Sequence, residues 1–204
     1  LHLCNKNMEK MDTIKNDSKA KDNLLLEVCM AAYYEGDSIK THYTPHQATY
    51  DDSASQLCTV LARSFADIGD IVRGRDLYLG KRKKKNKTET ERDQLEKELK
   101  EIFKKIHKDV TSSGNNKDTL KTRYNDNEEN YYKLREDWWE ANRKQIWQAI
   151  TCSEKLANYK YFRPTCNGKE PTEGYCRCNN DQPGEDKPNI DPPTYFDYVP
   201  QYLR

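Results

Sequence analysis

Apolar residues are scarce in this chain of 204 residues. Hydrophobic residues make up 34% of it and charged residues another 34%, whereas apolar residues form about 45–50% of an average globular domain. The apolar runs are short, and none approaches the roughly 20 residues that a transmembrane helix needs. We therefore expect a modest core of bundled helices, long solvated loops and no direct insertion into a membrane.

An excess of one charge is also missing. The formal net charge is +1 at pH 7, so no overall field favours nucleic acid or a membrane surface as a partner. No signal peptide opens the chain, and the sequence Leu1-His-Leu-Cys4 is an unusual natural start. We therefore expect the sequence to be an excerpt of a longer polypeptide.

Motifs for catalysis, cofactors and metals are absent as well. The chain has no P-loop, no dinucleotide-binding glycine motif and no nucleophile elbow, and its carboxylates interleave with lysines, as on a solvated helix face. His42 and His46 have the spacing of a metal pair on a helix, but Pro45 favours a loop there. The segment Cys176-Arg-Cys178 lacks the spacing of a zinc knuckle. The sequence predicts no enzyme, no cofactor and no metal site.

Seven cysteines are present, at positions 4, 29, 58, 152, 166, 176 and 178. This density indicates disulfides formed in an oxidising compartment, and reduced buried thiols are the alternative. The odd count leaves at least one cysteine without a partner in this chain. Cys176 and Cys178 are too close to pair comfortably with each other, and the rest of the connectivity does not follow from the sequence.

Apolar periodicity predicts a mainly α fold with no substantial sheet. The expected helices run from about Asn23 to Tyr34, Ser53 to Arg73, Thr90 to Val110, and Lys117 to Cys152 with a break. We expect Gly36 to end the first helix, residues 37–52 to form a loop, and Asp52 or Ser53 to cap the second. Residues 1–22 are predicted to be mostly loop, residues 167–193 an irregular disulfide-held loop, and Tyr195–Leu203 the start of a further helix.

The last long helix is the best candidate for the core. The predicted apolar side carries Leu134, Trp138, Ala141, Gln145 and Ala149, with Trp139, Ile146 and Ile150 beside it and Trp147 extending the arc. In the second helix we interpret Asp67 and Asp70 as partners of Arg73 or Arg75 in a structural network rather than as ligand-binding groups. Gly69 and Gly74 are interpreted as helix-terminating residues.

A basic run is the strongest binding feature. It consists of Lys81, Arg82, Lys83, Lys84, Lys85 and Lys87. Such a run can hold a sulfated or phosphorylated polyanion through counterion release. The alternative is a solvated connector between two helices, because charge runs are often only solubilising.

Several sequence blocks, in a fixed order, resemble a known family. The most distinctive are Ala62–Gly80 (ARSFADIGDIVRGRDLYLG), Trp138–Trp147 (WWEANRKQIW) and Pro193–Arg204 (PTYFDYVPQYLR); others are LHLCN at the start, LLLEVC ending at Cys29, AITC ending at Cys152, YFR at 161–163 and YCRC at 175–178. Together they resemble the α class of Duffy-binding-like domains. These are adhesion modules of the erythrocyte membrane protein 1 family of the malaria parasite Plasmodium falciparum.

The resemblance implies a fold and a domain division. It implies an antiparallel helical core preceded by a smaller, loop-rich subdomain: residues 1–52 would hold the end of that subdomain and the first core helix, and residues 53–204 a second subdomain truncated at its end. By analogy with related domains it also implies disulfides Cys58–Cys166 and Cys29–Cys152. A family cysteine upstream of Cys4 implies that the partner of Cys4 lies outside this chain.

The resemblance further implies an extracellular adhesion module on the surface of infected erythrocytes. Its expected partners are a host receptor, either a glycan such as heparan sulfate or a surface protein, together with antibodies and neighbouring domains of the same polypeptide. The first alternative is an antigenically variable spacer whose neighbour carries receptor binding. An intracellular nucleic-acid binder is a further alternative, which requires reduced cysteines.

Overall fold

The structure is a computed structural model that describes residues 19–50, 54–76, 91–112, 116–126 and 128–204, with side chains from 19 to 43 in the first range and from 56 in the second. Its five α-helices are α1 (Ala20–Tyr50), α2 (Ala54–Arg73), α3 (Glu91–Ser112), α4 (Lys117–Arg123) and α5 (Tyr132–Ile150). Three single-turn 3₁₀ helices follow at Glu154–Leu156, Phe196–Tyr198 and Gln201–Leu203. These ranges contain no strand, only two isolated bridges, which confirms the predicted mainly α fold.

The core lies between α1, α2, α3 and α5. Helices α1 and α5 run in the same direction, since Gly36 packs on Ile150 and the Lys40 Nζ lies 3.4 Å from the Cys152 carbonyl oxygen. Helix α2 runs opposite to α5, since Gly69 faces Trp139 near the start of α5 while Phe65 contacts Trp147 near its end. The buried apolar face of α1 carries Ala20, Leu24, Val28, Ala31 and Ala32.

Helix α1 is longer than predicted. It continues through Gly36 and Pro45 to Tyr50, so the loop predicted after Gly36 is wrong over residues 37–50. Gly36 serves a close helix contact instead of a stop, because a Cβ there would lie 2.1 Å from the Ile150 carbonyl oxygen. The His42 Nδ1 lies 2.8 Å from the Ser38 carbonyl oxygen. The predicted caps Asp52 and Ser53 lie outside the described residues.

Helices α2 to α5 follow the predicted order. Helix α2 ends at Arg73, and Gly74 follows it with a φ of +70°, a conformation that favours glycine and ends helices. The predicted break in the last helical stretch lies between Arg123 and Tyr132. Sequence periodicity therefore placed these elements correctly to within a few residues.

The buried face of α5 differs from the prediction. Ala141 and Gln145 are exposed, so placing them on the apolar side was wrong. The buried face includes Arg135 and Arg143 instead. Apolar periodicity does not predict that an arginine lies in the core, because the burial of an arginine depends on partners supplied by other segments.

The disulfide pairs also differ from those that the resemblance implied. Cys58 pairs with Cys176, and Cys166 pairs with Cys178. Cys176 lies against the core because its amide donates to the Tyr159 carbonyl (3.0 Å) and its carbonyl accepts from the Trp147 indole (3.1 Å). The implied Cys58–Cys166 pair is therefore wrong.

Cys29 and Cys152 are free thiols, so their implied pairing is wrong as well. Cys152 lies beside Lys40 near the middle of α1. Cys29 precedes Lys40 by eleven residues, which is about 16 Å along the helix. A disulfide needs Cα atoms within about 7 Å, which this spacing does not allow.

Residues after α5 form the predicted irregular loop, organised around a buried arginine. The Arg177 guanidinium donates to Thr151, Asp181 and Asp186 at 2.8–3.0 Å and to the Gln148 carbonyl at 2.7 Å. These bonds attach the loop to the end of α5 beside the Cys58–Cys176 disulfide.

The chain does not form the helix predicted at Tyr195–Leu203. Two 3₁₀ turns occur there, separated by Val199 and Pro200. Val199 is extended, with ψ of 128°, as expected for a residue before proline. Proline also lacks the amide that a continuous helix would need there.

The Cys58–Cys176 disulfide should contribute more stability than Cys166–Cys178, because it closes 118 residues instead of 12. Replacing Cys58 and Cys176 together with alanine is expected to lower the free energy of unfolding by ~2–5 kcal/mol, measured by urea titration. The matched control is the Cys166→Ala/Cys178→Ala variant. A larger loss in the control would contradict this ranking.

Burial raises the pKa of the Cys29 thiol to about 11. Because the thiolate is the reactive form, native Cys29 should react with iodoacetamide at pH 8 on the order of 100-fold more slowly than an unshifted thiol. Mass-spectrometric labelling of native protein and of protein in urea measures the ratio. Equal rates in the two states would show that Cys29 is not buried as described.

Candidate functional site

The sequence block at the end of α2 meets α5 and the C-terminal segment in one ionic network. We call it the tail network and define it as Asp67, Asp70, Arg73, Glu136, Arg143, Asp197 and Arg204. Most of these groups are buried. The network joins α2, α5 and the residues after Pro193.

Arg73 occupies the centre of the tail network with 1% of its surface exposed. Its guanidinium donates to Asp70 (3.0 Å) and Glu136 (3.3 Å), to the Gly69 carbonyl (3.0 Å), and to the Asp197 carbonyl. It also lies over the rings of Trp139 and Tyr198. This arrangement agrees with the predicted pairing of Asp70 with Arg73, while Arg75 pairs with Glu136 at 2.7 Å.

Asp197 anchors the tail to α5. The Arg143 guanidinium donates to both of its carboxylate oxygens, at 2.7 and 2.9 Å, and the Trp139 indole donates to one of them at 3.0 Å. Arg143 also donates to the Thr194 carbonyl at 2.9 Å. A fully bonded buried pair of this kind holds two segments in one geometry.

Arg204 connects the last residue to α2. It donates to Asp67 at 3.1 Å and to Asp70. Burial raises the pKa of both carboxyl groups, and the Arg204 charge opposes that rise. Asp67 is therefore paired with Arg204, and not with Arg73 or Arg75 as predicted.

The remaining motif residues pack the core. A Cβ on Gly69 would lie 2.8 Å from the Trp139 ring, so Gly69 permits a close contact within α2 and the helix-ending role predicted for it is wrong. Trp138 contacts Phe103 of α3 edge-on at 6.2 Å, and Trp147 contacts Phe65 of α2 at 5.2 Å between ring centroids. The three tryptophans thus join α5 to the two neighbouring helices.

Ion pairs hold the end of α2 and the start of α3 together, on either side of the basic run. Arg135, with 0% exposure, donates to the Ile71 and Val72 carbonyls at 3.0 and 2.6 Å and to Glu96 of α3 at 2.7 and 2.9 Å. Asp76 pairs with Arg92 at 3.4 Å. Both contacts join the end of α2 to the start of α3, so the two attachment points of residues 77–90 lie close together.

The predicted glycan-binding residues Lys81, Arg82, Lys83, Lys84, Lys85 and Lys87 lie outside the described residues, as does Cys4. The described part of the chain contains no cluster of three or more potential metal ligands. Within those same ranges, no helix is long and apolar enough to cross a bilayer.

Sequence reasoning missed Glu136, Arg143, Asp197 and Arg204 as members of the tail network. It also missed Arg135, which joins the end of α2 to α3. Arg143 and Asp197 are 54 residues apart, so no local pattern connects them. The only signal was the occurrence of Trp138–Trp147 and Pro193–Arg204 as separate blocks of the resemblance, and the structure shows that these blocks contact each other.

Comparison with known proteins is consistent with this architecture. The Duffy binding domain family matches residues 1–204. The chain belongs to the Duffy-binding domain family. This confirms the resemblance that the sequence blocks show. No curated protein sequence matches the chain.

Three solved structures resemble this Duffy-binding domain. The NTS-DBL1α1 domain of the Plasmodium falciparum membrane protein 1 (PfEMP1), varO strain, is 36% identical, with TM-score 0.71, over 99% of this chain and 40% of that one. The NTS-DBL1α and CIDRγ double domain of the same strain is 39% identical, with TM-score 0.71, over 99% of this chain and 25% of that one. The PfEMP1 IT4var13 DBLβ domain bound to ICAM-1 is 29% identical, with TM-score 0.56, over 92% of this chain and 38% of that one. The chain therefore spans less than half the length of each of these relatives.

Replacing Asp197 with alanine should strongly destabilise the domain. It leaves the Arg143 guanidinium buried without its carboxylate partner, which we expect to reduce the free energy of unfolding by ~3–5 kcal/mol, measured by urea titration. Asp191→Ala is the matched control, because Asp191 forms an exposed pair with Lys144 and should change stability by less than about 1 kcal/mol. Similar losses in both variants would refute an anchoring role for Asp197.

Proposed function

We propose that this Duffy-binding domain is an extracellular adhesion module of a variant surface antigen on infected erythrocytes, and that it binds a host-cell receptor. The observation that carries the proposal is the likeness to a PfEMP1 DBLβ domain whose structure is bound to ICAM-1. Binding by members of this family needs no catalytic group, and the proposal includes no enzymatic activity and no cofactor.

The two disulfides support an extracellular location, because disulfides persist in oxidising compartments. Their position also suits an adhesion module. One disulfide attaches the irregular loop to α2, and the other closes the loop on itself, so the surface formed after α5 is held without a large apolar core. A preorganised surface loses less entropy on binding than a flexible one.

The finer part of the proposal concerns the ligand. We place a polyanion, such as a sulfated glycan, at the basic run formed by Lys81, Arg82, Lys83, Lys84, Lys85 and Lys87. Support comes from the charge density of the run and from its attachment points, which Arg135 and the Asp76–Arg92 pair hold together.

A spacer role is the second candidate. It is favoured by the likeness to a double domain in which a CIDRγ domain accompanies NTS-DBL1α. In that case a neighbouring domain would carry receptor binding, and the surface of this segment would mainly meet antibodies. The division of the chain at residue 52 into two subdomains is a further prediction that a longer polypeptide would test.

Binding of the oxidised protein to immobilised heparin and to intact red cells tests the proposal. The wild-type protein should bind heparin, with an affinity that falls steeply as salt increases. Replacing all six basic residues of 81–87 with glutamine should abolish that binding, because it removes the charges that release counterions.

The matched control replaces six lysines of the described helices with glutamine, at positions 97, 104, 108, 121, 133 and 144. This variant changes the net charge equally and should retain most of the affinity. If both variants lose affinity equally, the basic run is not a specific site. If neither changes red-cell binding, the receptor contact lies elsewhere on the domain or in a neighbour.

A further inference from the structure

A pocket lies where the end of α2, the start of α3 and the start of α5 meet. Its volume is about 190 Å³, and its lining includes Ile71, Asp76, Arg92, Glu96, Lys100 and Tyr132. We call it the α2–α3 pocket. Because Asp76 and Arg92 belong to its wall, the pocket adjoins both attachment points of residues 77–90, the segment that carries the basic run.

Both carboxylates on the pocket wall are already paired. The two Glu96 carboxylate oxygens accept from the Arg135 guanidinium at 2.7 and 2.9 Å. Asp76 pairs with Arg92 at 3.4 Å and accepts from the Gln201 amide at 3.4 Å. These pairs balance the charges of the carboxylates, yet each carboxylate oxygen keeps lone-pair capacity for a further donor.

Lys100 differs from the other charged groups on this wall. It is partly buried, and no carboxylate in the described ranges of the chain pairs with its ammonium group. A partly dehydrated ammonium group offers three donors and no acceptor, so an anion satisfies it best. The α2–α3 pocket therefore presents one positive charge that its own wall does not balance.

Apolar surface forms the rest of the lining that the inference uses. Tyr132 is 51% exposed, and Ile71 lies beside the pocket with 8% exposure. A Cβ on Gly74 would lie 2.9 Å from the Tyr132 ring, so glycine at this position allows the ring to approach the end of α2. Small-molecule sites combine apolar and aromatic walls with a few placed polar groups in this way.

A sugar unit with one anionic group matches this combination. Its anion would meet Lys100, its apolar ring face would lie against Tyr132, and its hydroxyl groups would donate to the carboxylates of Asp76 and Glu96. A run of acidic side chains matches less well, because it would place several negative charges close to those same two carboxylates.

We propose that the α2–α3 pocket binds one anionic sugar unit, with its sulfate or carboxylate on Lys100 and its ring against Tyr132. The inference rests on the proposed glycan-binding function and adds to it a subsite built from described residues. A glycan held at the basic run would place one of its sugar units in this pocket.

NMR titration of the oxidised full chain with single sugars tests the proposal, because one sugar unit is too small to follow the basic run. The probes are glucose 6-sulfate and glucuronic acid, which share a pyranose ring and differ in the anionic group, and glucose is the neutral control. We expect saturable shifts of the Ile71 methyl and Tyr132 ring signals with an anionic sugar. The methyl signals of Ile146, which is fully buried in the core, should not move.

Two variants with the same charge change show where the anion binds. Lys100→Gln should raise the dissociation constant of the anionic sugar about tenfold, because it removes a hydrogen bond between two charged groups. Lys104→Gln is the matched control from the same helix, since Lys104 forms an exposed pair with Glu129 at 3.6 Å, and it should change that constant by less than about twofold. Urea titration confirms that both variants are folded.

The comparison of the two anionic sugars identifies whether sulfate or carboxylate is preferred. Equal dissociation constants for glucose and both anionic sugars would overturn the proposal, as would equal effects of the two variants or no shift with any sugar. Inorganic sulfate that binds as tightly as glucose 6-sulfate would assign the pocket to free anions and would also overturn it.

Failure of this inference and failure of the proposed function give different results. If replacing the basic run abolishes heparin binding while no sugar shifts the Ile71 signal, the pocket assignment fails and the proposed function stands. If the single sugars bind at Lys100 while heparin binding does not depend on the basic run, the assignment of the run fails and the pocket stands.

Discussion

Burial of arginine is the constraint on which this structure depends. Arg73, Arg135, Arg143 and Arg177 are exposed by 3% or less. A guanidinium removed from water is tolerated only when carboxylates and carbonyls satisfy its donors. Each of these four side chains meets that condition by bonding to a segment other than its own. In a chain poor in aliphatic residues, they connect elements that a small apolar core would leave loosely joined.

Each of the four arginines joins a different set of structural elements. Arg135 connects the end of α2 to α3, Arg73 and Arg143 connect α2 and α5 to the tail, and Arg177 connects the irregular loop to α5. The Cys58–Cys176 disulfide acts beside the last of these. The result is a bonded framework that holds the helices, the irregular loop and the tail in one arrangement.

Much of the fold was predictable because helices α2, α3 and α5 carry their apolar residues at regular spacing. The predictions failed where a residue serves a contact made by a distant segment. Gly36 and Pro45 have the local properties of helix breakers, yet α1 continues past both, and Gly36 sits where the Ile150 carbonyl approaches. Ala141 has a hydrophobic side chain and Arg143 a charged one, and the structure buries the arginine because Asp197 arrives from the tail.

By itself the sequence determined the helical class, the order of the long helices and the family. Periodicity and the order of motifs follow from positions along the chain and require no knowledge of tertiary contacts. Only the tertiary structure decided the disulfide pairs and the partners of the buried arginines. These depend on which residues meet after folding, and pairs such as Cys58 with Cys176 or Arg143 with Asp197 are separated by 118 and 54 residues.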